Sequence, residues 1–155
     1  MAEDELIKKT LERSKTIAMV GVSSIKKEVS TNIIRRPSTI VMKYMQEFGY
    51  RVIPVNPFSA GEKIHGETIV GKLNDIKISI DIVDVFRPSK EIPKIAEEAV
   101  KIGTKVFWLQ YCIQNNEAKK IVETKNIFYV SNKCIKQEYQ RLFLKVSPVF
   151  PALKN

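Results

Sequence analysis

The sequence predicts an α/β fold in three layers, a mostly parallel sheet with helices on both faces. Short apolar runs alternate along the chain with stretches whose apolar residues recur at helical spacing. The runs are nearly continuous rather than alternating, as in Thr16–Val22 (TIAMVGV), which suits strands buried on both faces. Several of them stop at a turn signal: Gly21, Asn56-Pro57, or Arg87-Pro88.

Each element can be justified in order. Asp4–Ser14 carries Leu6, Ile7 and Leu11 on one helical face. Thr16–Val22 is the first strand, followed by a polar, basic stretch over Ser23–Arg36. Pro37 and Ser38 open a helix with Ile40, Val41, Tyr44, Met45 and Phe48 on its apolar stripe, and Gly49 closes it. Arg51–Val55 is a short strand running into Asn56-Pro57. Phe58–Gly71 reads as a loop, and Leu73–Ile76 as a helical turn. Asp81–Phe86 is a strand. Glu91–Ile102 is a helix that turns Ile92, Ile95, Ala96, Ala99 and Ile102 inward, with Pro93 in its first turn and Gly103 after it. Lys105–Leu109 is a strand, and Asn115–Lys125 a helix capped by Asn115 or Asn116 with lysines toward its end. Ile127–Val130 is a strand, and Ile135–Val146 a last helix through Ile135, Tyr139, Leu142, Phe143 and Val146. Ser147–Asn155, with Pro148 and Pro151, is expected to be a surface extension. No linker or repeat divides the 155 residues, so one domain spanning 1–155 is expected.

Composition narrows the function. Apolar residues make up 44% and charged residues 28%, ordinary values for a globular chain. The 26 Lys+Arg against 17 Asp+Glu leave a formal charge of +9, which points to an anionic partner. No apolar run approaches the ~20 residues of a membrane span. The N-terminal MAEDELIKKTLERSK is charged throughout, unlike an export signal. Cys112 and Cys134 are too few for a disulfide scaffold, so a reduced, cytoplasmic protein is expected. One histidine, His65, and two cysteines cannot furnish a common Cys/His zinc site, and no metal is expected. His65 has no nucleophile motif near it, so no catalytic residue is assigned. Familiar nucleic-acid motifs are missing, and aromatics do not interleave with the basic runs, so no specific nucleic-acid partner and no membrane partner is expected.

Open α/β sheets bind ligands at the carboxyl ends of their strands. The segments there are Gly21–Ser24, Asn56-Pro57, Phe86-Arg87-Pro88 and Gln110–Ile113. Gly21 lets backbone N–H groups approach an anion, and the next helix N-terminus adds a favourable dipole. Lys26, Lys27, Arg35 and Arg36 supply positive charge near that turn. The dinucleotide fingerprint needs three spaced glycines and an acid about 20 residues on. Here Gly21–Lys26 holds one glycine, and the second strand ends in Asn56-Pro57 without a carboxylate. A phosphate-bearing nucleotide fits, and ordinary NAD binding fits poorly. NADP is the alternative, its extra phosphate answering to the basic loop.

Several motifs occur in order: Gly21-Val22-Ser23, Arg36-Pro37-Ser38, Gly49–Pro57 (GYRVIPVNP), Ala60–Ile64 (AGEKI), Val83–Arg87 (VDVFR), Trp108-Leu109-Gln110 and Cys134-Ile135-Lys136. In these the chain resembles the stand-alone CoA-binding domain family, which is similar to the CoA-binding domain at the start of the succinyl-CoA synthetase alpha subunit. The resemblance covers Leu6–Leu142, and GYRVIPVNP is its specific block. It implies a Rossmann-like domain holding CoA or acyl-CoA at the strand ends. By the same resemblance, Gly21, Val22 and Ser23 lie along the phosphates; Ser24, Lys26, Lys27 and Arg36 are site candidates from their place in the loop that follows. Asn56 and Pro57 flank the nucleotide, Lys63 meets a phosphate, Phe86, Arg87 and Pro88 cover the adenine side, and Gln110 nears the pantetheine.

Two positions depart from the family pattern. The loop Ser24–Arg35 is longer and more basic, and Tyr111-Cys112 stand where leucine and glycine are common. The expected function is a non-catalytic carrier, sensor or regulator that binds CoA or acyl-CoA, with an NAD(P)-binding oxidoreductase-like protein as the alternative. Cys112 and Cys134 are read as ordinary thiols, with a mixed disulfide to CoA as the other reading. Trp108 is read as core, and Asp81 and Asp84 as strand-edge or cap residues.

Overall fold

The computed structural model describes residues 2–23 and 37–144. Ser24, Lys26, Lys27, Arg35 and Arg36, and the extension 147–155, lie outside the described residues. In chain order the strands are β1 (Thr16–Val20), β2 (Arg51–Val55), β3 (Lys63–Ile64), β4 (Glu67–Thr68), β5 (Ile82–Val85), β6 (Val106–Leu109) and β7 (Phe128–Val130). The helices are α1 (Glu3–Arg13), α2 (Pro37–Glu47), α3 (Ile92–Ile102), α4 (Asn116–Glu123) and α5 (Ile135–Tyr139).

Five of the strands form one parallel sheet in the order β2-β1-β5-β6-β7. The order reverses between β1 and β5, which makes that gap the switch point of the sheet. Register aligns the strand ends there: Val20 pairs with Val55 and with Val85, and Val85 with Leu109. The next residues, Gly21, Asn56, Phe86 and Gln110, therefore share one edge.

Successive strand side chains point to opposite faces, and both faces are covered. Ile17, Met19, Ile82 and Trp108 pack against Ile7 and Leu11 of α1, Met42 and Met45 of α2, and Ile135 of α5. Ala18, Val83, Phe107 and Leu109 pack against Ile92, Ala96 and Ala99 of α3 and Ala118 and Val122 of α4. Burying each such Ile or Leu contributes about 1.5–3 kcal/mol, so the apolar strand runs assemble a Rossmann-like α/β sandwich.

Local signals set the helix ends. The Asn115 side chain accepts a hydrogen bond from the Ala118 N–H at 2.8 Å, capping α4. Gly103, at φ 74°, closes α3 in the left-handed region that glycine adopts freely. Asp81 ties strand starts together, its Oδ2 accepting from the N–H groups of Lys15 and Thr16 at 2.8 and 3.2 Å.

The structure departs from the sequence reading in several places. The expected loop 58–71 contains the hairpin β3–β4, paired Lys63↔Thr68 and Ile64↔Glu67. Strands of two residues are too short to show an alternation. In α2 the buried stripe is Val41, Met42 and Met45, whereas Ile40 and Phe48 are exposed. Phe48 instead packs on the rings of Tyr44 and Tyr139. The last helix is α-helical only to Tyr139 and continues as a π-helical turn over Gln140–Leu144. Asp84 is neither an edge nor a cap residue. It is fully buried in β5, in register with Met19 and Trp108, and neither carboxylate oxygen has a hydrogen-bond partner among the described residues. Among the described residues no helix is long and apolar enough to cross a membrane.

Candidate functional site

Two cavities open at the carboxyl edge of the sheet, one on each side of the switch point. The α3-side cavity measures about 520 Å³ and the α5-side cavity about 880 Å³. Gly21 and Arg87 line both, so the two spaces meet where β1 and β5 end.

The meeting point is built by close backbone approach. Gly21 donates its N–H to the Val55 carbonyl at 2.8 Å, and Phe86 donates its own to Val20 at 2.8 Å. Gly21 adopts φ +107°, and a Cβ there would lie 2.7 Å from the Phe86 carbonyl oxygen and 3.1 Å from Arg87 Cδ. Glycine is thus required for the turn after β1 to sit against the turn after β5.

Arg87 lies across this junction. Its Nε and Nη2 donate to the two carboxylate oxygens of Glu91, at 3.0 and 2.7 Å. The hydrogen-bonded pair holds the Glu91 carboxyl below its ordinary range and pushes the guanidinium further up. Both partners are charged at neutral pH.

The α3-side cavity takes Asn56 and Pro57 from the turn after β2. Asn56 is buried, and its Oδ1 accepts from the Phe58 N–H at 2.9 Å, which fixes the turn and leaves Phe58 exposed on the rim. Lys72, Lys90 and Lys94 join Arg87 there, against Glu91 and Glu98. Four cations against two carboxylates make the space electropositive. Sequence reasoning missed Lys72, and it missed Lys90 and Lys94. The signal of the last two was the four-residue spacing that puts both on one side of the helix start following Arg87-Pro88.

The α5-side cavity is mainly apolar, with Val41, Phe86, Pro88 and Ile113 in its walls and the Cys134 thiol among its polar groups. Buried Gln110 also lines it, and its Oε1 accepts from the Ile135 N–H at 3.1 Å, serving the first turn of α5. Tyr111 stands on the rim, 67% exposed. Cys112 is exposed and adopts φ 69°, the left-handed region that explains why glycine suits this position. Its N–H donates to Asn132 Oδ1 at 2.7 Å.

The remaining expected residues divide. The Val22 side chain is fully buried in the core rather than facing a cavity. Ser23 is buried beside the junction and lines neither space. Lys63 sits exposed on β3 and also lines neither. Trp108 is core as expected, its indole N–H donating to the Lys133 carbonyl at 2.7 Å. His65 lines neither cavity, and its Nε2 lies 3.3 Å from the Thr39 carbonyl, holding the hairpin against α2. Among the described residues no three His, Cys, Asp or Glu side chains gather as a metal site requires.

Fold and clefts together define a Rossmann-like domain with two clefts at the switch point of a parallel sheet. The chain belongs to the CoA binding domain family, which matches residues 15–140. It is 39% identical over 130 residues to the uncharacterized protein YneT of Bacillus subtilis (strain 168), covering 84% of this chain and 89% of that protein. Among solved structures it resembles cell-free ID.343 from Thermus thermophilus, with TM-score 0.82 and 34% identity over 92% of this chain and all of that one. A hypothetical protein from Pyrococcus horikoshii OT3 superposes with TM-score 0.81 and 38% identity, covering 91% of this chain and 92% of the other. Family membership supports a CoA-binding role and a small, nucleotide-like ligand.

Proposed function

We propose that this protein binds CoA or acyl-CoA as a non-catalytic carrier, sensor or regulator. The observation that carries this reading is the pair of cavities joined at Gly21 and Arg87, which differ in charge: three lysines line the α3-side one besides Arg87, and the α5-side one has no charged side chain but Arg87 among the described residues. CoA is itself two unlike parts: a phosphorylated nucleotide and an uncharged pantetheine arm, linked by a pyrophosphate. In this reading the electropositive α3-side cavity takes the nucleotide, with Asn56 and Pro57 against it. The mainly apolar α5-side cavity takes the arm, passing Phe86, Pro88 and Gln110. That changes the expected place of Phe86 and Pro88, from the adenine to the arm. Gly21 remains on the phosphate path, and the basic loop with Ser24, Lys26, Lys27 and Arg36 remains a source of further phosphate contacts, whereas Ser23 and Lys63, which line neither cavity, gain no support from the clefts.

A binding role rather than a reaction is supported by the position of the one histidine, which is engaged with α2 and lines neither cavity. A cytoplasmic setting suits the free thiols of Cys112 and Cys134.

Calorimetric titration with CoA and dephospho-CoA, at low and moderate salt, tests the proposal. Saturable one-site binding that weakens with salt is expected. Binding of neither ligand at millimolar concentration overturns it, as does NADPH binding that CoA does not displace. Mass spectrometry of gently purified protein gives an independent check through retained CoA.

A further inference from the structure

We propose that Arg87 grips the pyrophosphate of the ligand, and that Glu91 holds this grip closed until the ligand displaces it. The inference deepens the CoA reading and rests on it.

Position is the first argument. Among the described residues, Gly21 and Arg87 are the two that line both cavities. A ligand that fills both spaces must pass its linking group between them, and in CoA that group is the pyrophosphate. Gly21 carries no side chain, so Arg87 is the one of the two with a charge to offer.

Geometry is the second. Arg87 presents two parallel donors, Nε and Nη2, to two oxygens of one acidic group. The same fork matches two oxygens of a phosphoryl group, since carboxylate and phosphate share that bidentate geometry. Glu91 therefore imitates the ligand. A Cβ at Gly21 would press on Arg87 Cδ at 3.1 Å, so the glycine also leaves space for this side chain.

The third is accessibility. The Arg87 and Glu91 side chains are 34% and 39% exposed, and an ion pair this open is readily exchanged for a stronger anion. The carboxylate neutralises the fork and repels small anions that bring no other contacts. A ligand that also fills both cavities has the additional binding energy to displace it. Glu91 is thus a specificity residue, favouring the two-part ligand over free phosphate or carboxylate.

The test uses calorimetry with CoA and dephospho-CoA on the full chain. Glu91→Gln is expected to tighten both ligands by about 3- to 10-fold, a coupling of ordinary size for touching charges. Glu98→Gln removes the same charge from the same cavity without freeing Arg87, and is expected to give less than about a twofold gain, a screened field effect. Arg87→Gln is expected to weaken both ligands equally, by about 10- to 100-fold, as loss of charge-assisted bonds does. In the Arg87→Gln background, Glu91→Gln is expected to give no more than the small field gain of Glu98→Gln. Equal gains from Glu91→Gln and Glu98→Gln, or a Glu91→Gln gain larger than that of Glu98→Gln that survives without Arg87, would overturn the latch. If Arg87→Gln erased only the difference between CoA and dephospho-CoA, Arg87 would belong to the 3′-phosphate and the pyrophosphate assignment would fall. Wild-type protein that binds neither ligand removes the CoA reading itself, a result distinct from all of these. Thermal melting of each variant within a few degrees of wild type confirms an intact fold.

Discussion

Gly21 and Phe86 approach so closely that a Cβ on the first would lie 2.7 Å from the carbonyl oxygen of the second. The contact joins the ends of β1 and β5 at the switch point, and both cavities depend on it. Gly21→Ala therefore meets two obstacles, the clash and the φ of +107°. It is expected to cost about 1–3 kcal/mol of stability through backbone strain and to weaken CoA binding by moving Arg87. Denaturant unfolding and calorimetry on the variant check both effects, and wild-type values in each would show that the turn is not tightly constrained.

Asp84 predicts an unusual pH dependence. Burial without a hydrogen-bond partner pushes its carboxyl well above the ordinary range. A group raised on folding contributes stability that is fully present below its unfolded value, about 3.9. That stability is lost as pH rises toward the folded value, because the folded state must keep the proton that the unfolded chain releases. Asp84→Asn cannot ionise, so its stability relative to wild type should grow with pH across this window. Urea unfolding of both proteins from pH 4 upward measures the difference. Parallel curves would mean that the carboxyl finds a compensating partner.

Cys112 occupies backbone that glycine prefers, at φ 69°. Cys112→Gly removes a left-handed cost of about 1–2 kcal/mol and gives back part of it to unfolded-chain entropy, about 0.5–1 kcal/mol. A net gain of about 0.5–1 kcal/mol is expected. Cys112→Ala keeps the Cβ and should show no such gain. If the two variants unfold at the same denaturant concentration, the backbone explanation fails.

Lys94 stands one helical turn after Lys90 in the α3-side cavity. Lys94→Ala is expected to weaken CoA by about 3- to 10-fold, the usual size of a partly screened charge contact. It should also flatten the salt dependence of binding. An affinity loss with an unchanged salt slope would point to lost packing instead of lost charge.

Much of the frame was legible in the linear sequence. Strands over Thr16–Val22, Asp81–Phe86 and Lys105–Leu109 are read from their mostly apolar character, which parallel strands need because helices cover both faces. Gly21, Phe86 and Gln110 then fall at the carboxyl edge of the sheet without any knowledge of pairing. Helix ends at Asn115 and Gly103 follow from local hydrogen bonding and local φ, which depend on a few adjacent residues.

Other features were decided only by contacts between distant segments. The β3–β4 hairpin leaves too short a pattern to read, and it is held by β2 and by His65 against α2. Ile40 and Phe48 look like core positions by spacing, yet α2 packs with Val41, Met42 and Met45 inward and both are exposed. Asp84 in an apolar strand reads the same at an edge or in the interior, and only the covering helices bury it. Sequence alone determined the succession of the five sheet strands and the helices between them, because apolar runs and helix caps follow local side-chain pattern. Tertiary structure alone decided that Gly21, Arg87 and Glu91 meet, and that Lys72, Lys90 and Lys94 share one cavity. Long-range packing sets those distances, and on distances of a few ångströms charge interactions depend.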